Sequence, residues 1–334
     1  MENKIAINGR YLSRRITGVE RYAHEVSKRL HSSRIVQPKR PLRQMTGNFW
    51  EQLILPGRIK QHEILWSPAN AGPWLIKNQV ITIHDASVFD HPEWFKSNFA
   101  AWTRLSWRIL AHRVKAVITV SNFSRERLKK HLGIPDKKIH MIYNGVGKPF
   151  EPQTQDVINK TRSKYKLGKP YFLFAGRNEP RKNLTTLIQA WEGLNSKTHD
   201  LFIAGMEGNI FAPISSHARS VTYIPDEYLP ALYSGATAFI LPSFYEGFGL
   251  PALEAMACST PVIASDIPAF REIFKDAALF AKPHDASEIT NVMQNIIDDP
   301  SLANTVRERG LQLVKKYSWD EAALKTQALL ESRS

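Results

Sequence analysis

Two domains of the α/β class, each a parallel, doubly wound β-sheet, are the architecture this sequence predicts. Three observations carry that expectation. From residue 170 onward, short apolar runs and amphipathic helical segments alternate regularly, as parallel sheets with crossover helices require. Predicted strands end in glycine or polar residues, where open parallel sheets bind ligands. The chain has 334 residues, 43% of them apolar, enough for two ordinary domains.

Taken in order, Lys4–Asn8 alternates as a short strand. Thr17-Gly18 precedes a helix over 19–30, with Val19, Tyr22, Ala23, Val26 and Leu30 on its apolar face. A glycine at a helix start lets a backbone approach a phosphate closely; a simple cap explains it equally well. Residues 36–47 are proline-rich and basic and read as a loop, and 48–60 follows a helical pattern around Trp50, Leu53 and Ile54. Residues 63–66 and 79–83 read as strands, the second ending in His84-Asp85. A strand-end histidine is placed for ligand contact; a strand-end aspartate often just caps the next turn. The helix expected at 99–114 mixes Phe99, Trp102, Trp107 and Leu110 with Arg104, Arg108 and Arg113. Such a mixture suits either a membrane interface or a core helix with a basic outer face. A strand at 116–120, a basic helix at 123–132 and a strand at 138–143, ending in Asn144-Gly145, complete a first domain over 1–150.

The polar, proline-containing stretch 151–169 reads as the interdomain linker. A second domain over 170–316 follows. Its strands are expected at 171–175, 201–204, 221–224 and 238–242, its helices at 184–191 and 227–233. Residues 317–334 read as a terminal amphipathic helix.

The stretch SFYEGFGLPALEAMACSTPVIASD, residues 243–266, organises the rest. Gly247 and Gly249 lie in a turn after an apolar strand, and Pro251 suits a first helical position. The pattern is strand, glycine loop, helix N-terminus and strand. It presents backbone N–H groups and a positive helix end to an anion. Glu246 and Glu254 flank the loop as E-x7-E. A phosphate disfavours adjacent carboxylates, so they point to hydroxyl-rich groups on either side of it, as in a nucleotide sugar.

These residues resemble the donor-site motif of retaining glycosyltransferase family 4, whose fold is GT-B: two Rossmann-like domains facing a cleft. TIHDASVFDHPEWF resembles the family's acceptor-side motif, and GRNEPRKNL carries its R-x4-K pair as Arg177 and Lys182, with Arg181 off the motif. The resemblance implies the following roles. Arg177 and Lys182 neutralise the leaving diphosphate, and Glu246 orients the sugar. His84 touches the donor sugar, and Glu254 holds the ribose. Backbone around Gly247, Phe248, Gly249 and Leu250 meets phosphate or sugar. Tyr223, Ile224 and Asp226 lie where the base binds, and Gly18 closes from the first domain. The terminal helix would cross back to the N-terminal, acceptor-binding domain. The first domain looks trimmed at 36–47, and Thr17-Gly18 replaces the usual glycine pair. Ser259 stands where the family usually has glycine, and PAFREI at 268–273 departs from the commoner ending.

The implied reaction is transfer of a hexose, mannose favoured, with retention and by front-face displacement. The donor would be a nucleotide-diphosphate sugar, GDP-mannose favoured. The acceptor would be lipid-linked or an oligosaccharide. Neither metal nor another cofactor is expected. There is no Asp-x-Asp motif, Asp298-Asp299 looks like a helix end, and the histidines show no zinc spacing with cysteine.

Net charge is +14, and it is uneven. Residues 1–150 hold 26 Lys/Arg and 10 Asp/Glu, residues 151–334 hold 19 and 21. An anionic partner for the first half follows. Lipid-linked acceptors on an anionic membrane face fit it. The lone Cys258 fits a reducing compartment, and MENKIAING runs straight into a strand pattern with no leader. The expectation is a cytoplasmic protein, peripheral on the inner membrane face. Two alternatives stay open: a sugar-nucleotide epimerase on the same scaffold, and a nucleic-acid-binding protein, for which no recognised module is present.

Overall fold

The computed structural model describes residues 4–42, 44–194, 198–205 and 218–333. The chain divides into two compact units, Met1–Gly145 with Ser318–Ser334, and Val146–Tyr317.

The sheet of the first unit contains β1 (Ile5–Asn8), β2 (Ser33–Val36), β3 (Ile64–Ser67), β4 (Gln79–Thr82), β5 (Ala116–Thr119) and β6 (Ile139–Met141). All its pairs are parallel, in the order β2-β1-β3-β4-β5-β6. Four of these strands, β1, β3, β4 and β5, are buried along their whole length. As inner strands of a parallel sheet they bury polar Asn8, Ser67, Gln79, Thr82 and Thr119 along with the apolar residues. Strand β2 has no counterpart in the sequence reading, and the expected loop at 36–47 overlaps it only at Val36. It is the edge strand and half exposed, so its SRIV sequence lacks an apolar signature. Below the sheet, Trp107 and Leu110 of helix Ser97–Arg113 join Ile81, Val117 and Leu128 in the core.

The expected helix at 48–60 is three pieces: Gln44–Phe49, a π-turn Trp50–Ile54 and a 3-10 turn Pro56–Arg58. The π-turn brings Glu51 to Arg10, where Arg10 Nη1 donates to Glu51 Oε2 at 2.6 Å and Asn8 Nδ2 to Glu51 Oε1 at 2.7 Å. These groups line a small recess with Tyr11, Arg14, Ala69 and Ala71.

The terminal helix Trp319–Glu331 belongs to this first unit. Its Trp319 ring lies 6.3 Å from Tyr22, and Arg29 Nε bonds Asp320 Oδ1 at 2.6 Å. A Cβ on Gly145 would sit 2.1 Å from the Trp319 backbone nitrogen, so the chain passes there only as glycine.

The second unit has β7 (Tyr171–Ala175), β8 (Asp200–Ala204), β9 (Arg219–Val221), β10 (Ala238–Leu241), β11 (Val262–Ser265) and β12 (Leu279–Ala281), in the order β12-β11-β10-β7-β8-β9. All pairs are parallel. Phe172, Phe174, Leu187, Trp191, Ile240 and Met293 fill one side of it. The stretch 151–169 is not simply a linker, because it holds helix Gln155–Lys164, with Ile158 and Thr161 buried. Its other positions are mostly polar, which made it read as loop. The strand expected at 221–224 lies earlier, at β9. Val221 pairs with Ala204, the last residue of β8, so residues beyond it have no partner strand.

Candidate functional site

In the second sheet the strand order reverses between β7 and β10. Crevices beyond the carboxyl ends of such neighbours are where open α/β sheets bind ligands. The loops following these two strands carry Arg177 to Lys182 and Ser243 to Gly249.

After β7 the chain makes a 3-10 turn, Pro180–Lys182, then a left-handed residue, Asn183 (φ 56°), that starts helix Leu184–Glu192. Asn183 fixes this loop. Its Nδ2 donates to the carbonyls of Pro242 at 2.9 Å and Pro283 at 2.6 Å, and its Oδ1 accepts from Thr186 at 2.6 Å. The Phe244 N–H donates to the Arg181 carbonyl at 2.8 Å, tying the two loops directly.

Glu246 is buried where the loops meet. Lys182 Nζ and Ser243 Oγ donate to its Oε1, the latter at 3.2 Å, and Arg181 Nη1 lies 3.0 Å from Oε2. Burial alone would push the carboxyl pKa up; Arg181 and then Lys182 outweigh burial and hold it down to about 2. Glu246 is therefore an ionised, oriented acceptor of hydrogen bonds.

Gly249 follows with φ 89° and starts helix Leu250–Ala257, with Pro251 in the first turn. A Cβ there would meet Phe274 Cζ at 2.6 Å, so glycine is required twice over, by conformation and by space. Phe248 is buried edge-on to Tyr317, with ring centroids 5.6 Å apart, and Gly247 and Leu250 are buried beside it. The loop backbone is thus held rigidly at a helix N-terminus. Glu254 is buried on the second turn of this helix, and the Tyr233 hydroxyl donates to its Oε2 at 3.4 Å.

The structure brings Lys182, Glu246, Gly247, Phe248, Gly249 and Leu250 together. It does not bring Arg177 to Glu246: that guanidinium is 58% exposed and lies 3.5 Å from Glu179. Tyr223 and Ile224 lie in irregular chain beyond the carboxyl end of β9 and Asp226 in the turn that follows, with Tyr223 exposed and Ile224 buried. The sequence reading gives no role to Asn183, Ser243 or Tyr233 and sets Arg181 aside as off the motif. A signal existed for Arg181: a glutamate in an apolar loop needs cations, and PRK offers two in succession.

In the first unit, His84 is buried just past β4. Its Nε2 lies 3.1 Å from the Pro68 carbonyl, and its ring is edge-on to Tyr22 at 4.8 Å. A carbonyl only accepts, so Nε2 carries the proton. Burial lowers the His84 pKa; the Pro68 carbonyl, Asp85 and Glu20 only partly offset it, so the ring is neutral. Asp85 Oδ1 accepts from the Ser87 N–H at 2.8 Å, a turn cap. Gly18 opens helix Gly18–Ser27, and a Cβ there would meet nothing within 4 Å. Packing does not require that glycine. Among the described residues, no cluster of three or more His, Cys, Asp or Glu side chains could hold a metal ion.

The family model described as glycosyl transferases group 1 matches residues 157–313, and that described as glycosyltransferase family 4 matches residues 60–147. O-antigen chain mannosyltransferase B of Escherichia coli is 32% identical over 268 residues, covering 76% of this chain and 70% of that protein. O-antigen chain mannosyltransferase RfbU of Salmonella typhimurium is 29% identical over 289 residues, covering 84% and 77%. Among solved structures, WaaG, a glycosyltransferase involved in lipopolysaccharide biosynthesis, matches with a TM-score of 0.75 at 14% identity, over 98% of this chain and 99% of its own. Sucrose-phosphate synthase from Thermosynechococcus elongatus matches with a TM-score of 0.71 at 22% identity, over 90% and 83%. Those two likenesses concern the fold alone, which is GT-B. The sequence matches reach further, and on them the chain belongs to the group 1 glycosyltransferases of family 4.

Proposed function

We propose that this glycosyltransferase moves mannose from GDP-mannose to a hydroxyl of a lipid-linked or glycan acceptor in surface polysaccharide synthesis, retaining the anomeric configuration. One observation carries the donor-site reading: a buried, ionised Glu246 set between cations at the switch point of the second sheet, beside a helix N-terminus. The names of the relatives, O-antigen chain mannosyltransferases, support mannose.

On this reading Glu246 accepts hydrogen bonds from sugar hydroxyls and orients the ring. Lys182 and the helix N-terminus meet the diphosphate, whose negative charge grows as the sugar–phosphate bond breaks. Arg177, exposed in the same loop, joins Lys182 in neutralising that charge. Glu254 holds the ribose and Tyr223 to Asp226 meet the base. His84 is proposed for the donor sugar and Gly18, at an open helix start, for a phosphate.

The first unit is proposed to rest on an anionic membrane face. Support comes from its charge and from helix Ser97–Arg113, where Phe99, Trp102 and Leu105 are exposed while Trp107 and Leu110 are buried. No helix among the described residues is long and apolar enough to cross a membrane.

The test is a donor panel: purified protein, each common nucleotide sugar, and nucleoside diphosphate release with and without a membrane lipid extract. Acceptor-dependent release from GDP-mannose supports the proposal. Release from a different donor replaces the sugar. Turnover of donor without any acceptor dependence favours the epimerase instead.

A further inference from the structure

The first sheet has a switch point of its own. Its strand order reverses between β1 and β3, so the crevice beyond their carboxyl ends is where a sheet of this kind takes a ligand. The small recess beside Glu51 lies there. Asn8, Arg10 and Arg14 line it from the end of β1 and the segment that follows, Ala69 and Ala71 from the segment after β3. The π-turn Trp50–Ile54 adds Glu51, and such turns are frequent at functional sites.

The polar groups of the recess divide into a fixed floor and an open edge. Asn8, Arg10 and Glu51 are buried and bonded to one another, Glu51 holding Asn8 on one oxygen and Arg10 on the other. The Arg10 N–H also donates to Asn8 Oδ1 at 3.2 Å. A carboxylate has about four acceptor sites, so Glu51 can take a further donor. Arg14 is the open edge. Its side chain is 34% exposed, and its Nη1 lies 3.7 Å from Glu20 Oε1, an ion contact too long for a hydrogen bond.

Size and charge decide what fits. The free space is about that of one water molecule, which admits a hydroxyl or hydroxymethyl arm but neither a sugar ring nor a phosphate group. Arg10 faces Glu51 and Arg14 faces Glu20, so the cations are matched by carboxylates and no surplus positive charge is left for an anion. A hydroxyl both donates and accepts, and a carboxylate with a guanidinium answers both roles.

We propose that this recess is a hydroxyl subsite for a neutral sugar of the acceptor, with Glu51 accepting from the hydroxyl and Arg14 donating to it. This rests on reading the chain as a transferase with a glycan-bearing acceptor. Any phosphate or lipid of that acceptor lies outside the recess.

The test measures nucleoside diphosphate release by the full chain from the donor it uses. Neutral octyl glycosides of the common hexoses and N-acetylhexosamines serve as acceptors beside a membrane lipid extract, and thermal unfolding is run on every variant. Kinetics are compared on the acceptor that gives most turnover. Arg14→Gln should raise the acceptor KM about tenfold, as loss of a hydrogen bond from a charged group does, while the donor KM stays within about twofold. Ala71→Leu fills the recess, keeps every charge and should raise the same KM. Loss of stability alone does not separate the two KM values. Should Arg14→Gln not fold, Ala71→Leu decides. At saturating donor, inorganic phosphate should not compete with the acceptor. An acceptor KM unmoved in either folded variant overturns the proposal, and so does competition by phosphate that Arg14→Gln relieves, which would mark an anion site. Wild-type protein whose turnover depends on no acceptor would instead sink the glycan-acceptor reading itself.

Discussion

The Asn183 side chain donates to the Pro283 carbonyl at 2.6 Å, across one hundred residues of sequence. With its second bond to Pro242 it joins the loops after β7 and β10 to the end of β12, and so holds Lys182 against Glu246. Asn183→Ala removes both bonds, leaves two carbonyls unsatisfied and puts a Cβ-bearing residue without a local hydrogen bond at φ 56°. A loss of about 2–4 kcal/mol is expected in urea unfolding. Asn183→Gly relieves the backbone conformation and should lose about 1 kcal/mol less.

Ser259 follows helix Leu250–Ala257 with φ 62°, the left-handed region. Its carbonyl accepts from Arg307 Nε at 2.9 Å, so the conformation is held from outside. A glycine adopts it without steric cost. Ser259→Gly should raise stability by about 1 kcal/mol, seen as a higher denaturant midpoint with an unchanged slope. A destabilised variant would refute the backbone explanation.

In the first unit Arg10 and Glu51 form a buried pair, and Arg10 Nη2 also donates to Asn48 at 2.7 Å. Removing one partner strands a charge. Glu51→Ala should cost roughly 3–5 kcal/mol in equilibrium unfolding, whereas the double replacement Arg10→Met with Glu51→Leu should cost much less. Additive losses in that double-mutant cycle would show that the pair is not coupled.

The pH dependence follows from Glu246. Its folded pKa, about 2, lies below the ordinary 4.5. The stability it contributes is fully present above the unfolded value and is lost as pH falls through the folded one. On the order of 3 kcal/mol is involved. In urea melts from pH 6 to pH 2.5, the stability gap between wild type and Glu246→Gln should stay constant down to about pH 5 and then narrow. A gap that does not change with pH contradicts the ion cluster.

The parts of this site legible in the sequence are those formed by neighbours in the chain. Gly249 and Pro251 announce a turn and a helix start locally, and the structure uses them so. Lys182 was found through a spacing pattern. The same pattern names Arg177 for the diphosphate; that Arg181 also reaches Glu246, 65 residues on, is no matter of spacing, and the turn at Pro180 and the Asn183 anchor bring it there. Ser259 stood out as a departure, but its cause is a backbone angle that no residue name prints. Strand β2 and helix Gln155–Lys164 were missed for one reason: both bury too few side chains to show a period. In helix Ser97–Arg113 the aromatic content was visible. Only packing separates buried Trp107 from exposed Trp102.

The most direct test of the account compares Glu246→Gln with wild type in two measurements on the same preparation: GDP affinity and acceptor-dependent turnover of GDP-mannose. An oriented carboxylate that acts on the sugar predicts a loss in turnover of about a hundredfold or more, with GDP affinity changed by only a few fold. Near-normal turnover in Glu246→Gln would contradict the assignment of this loop as the place where the sugar is held.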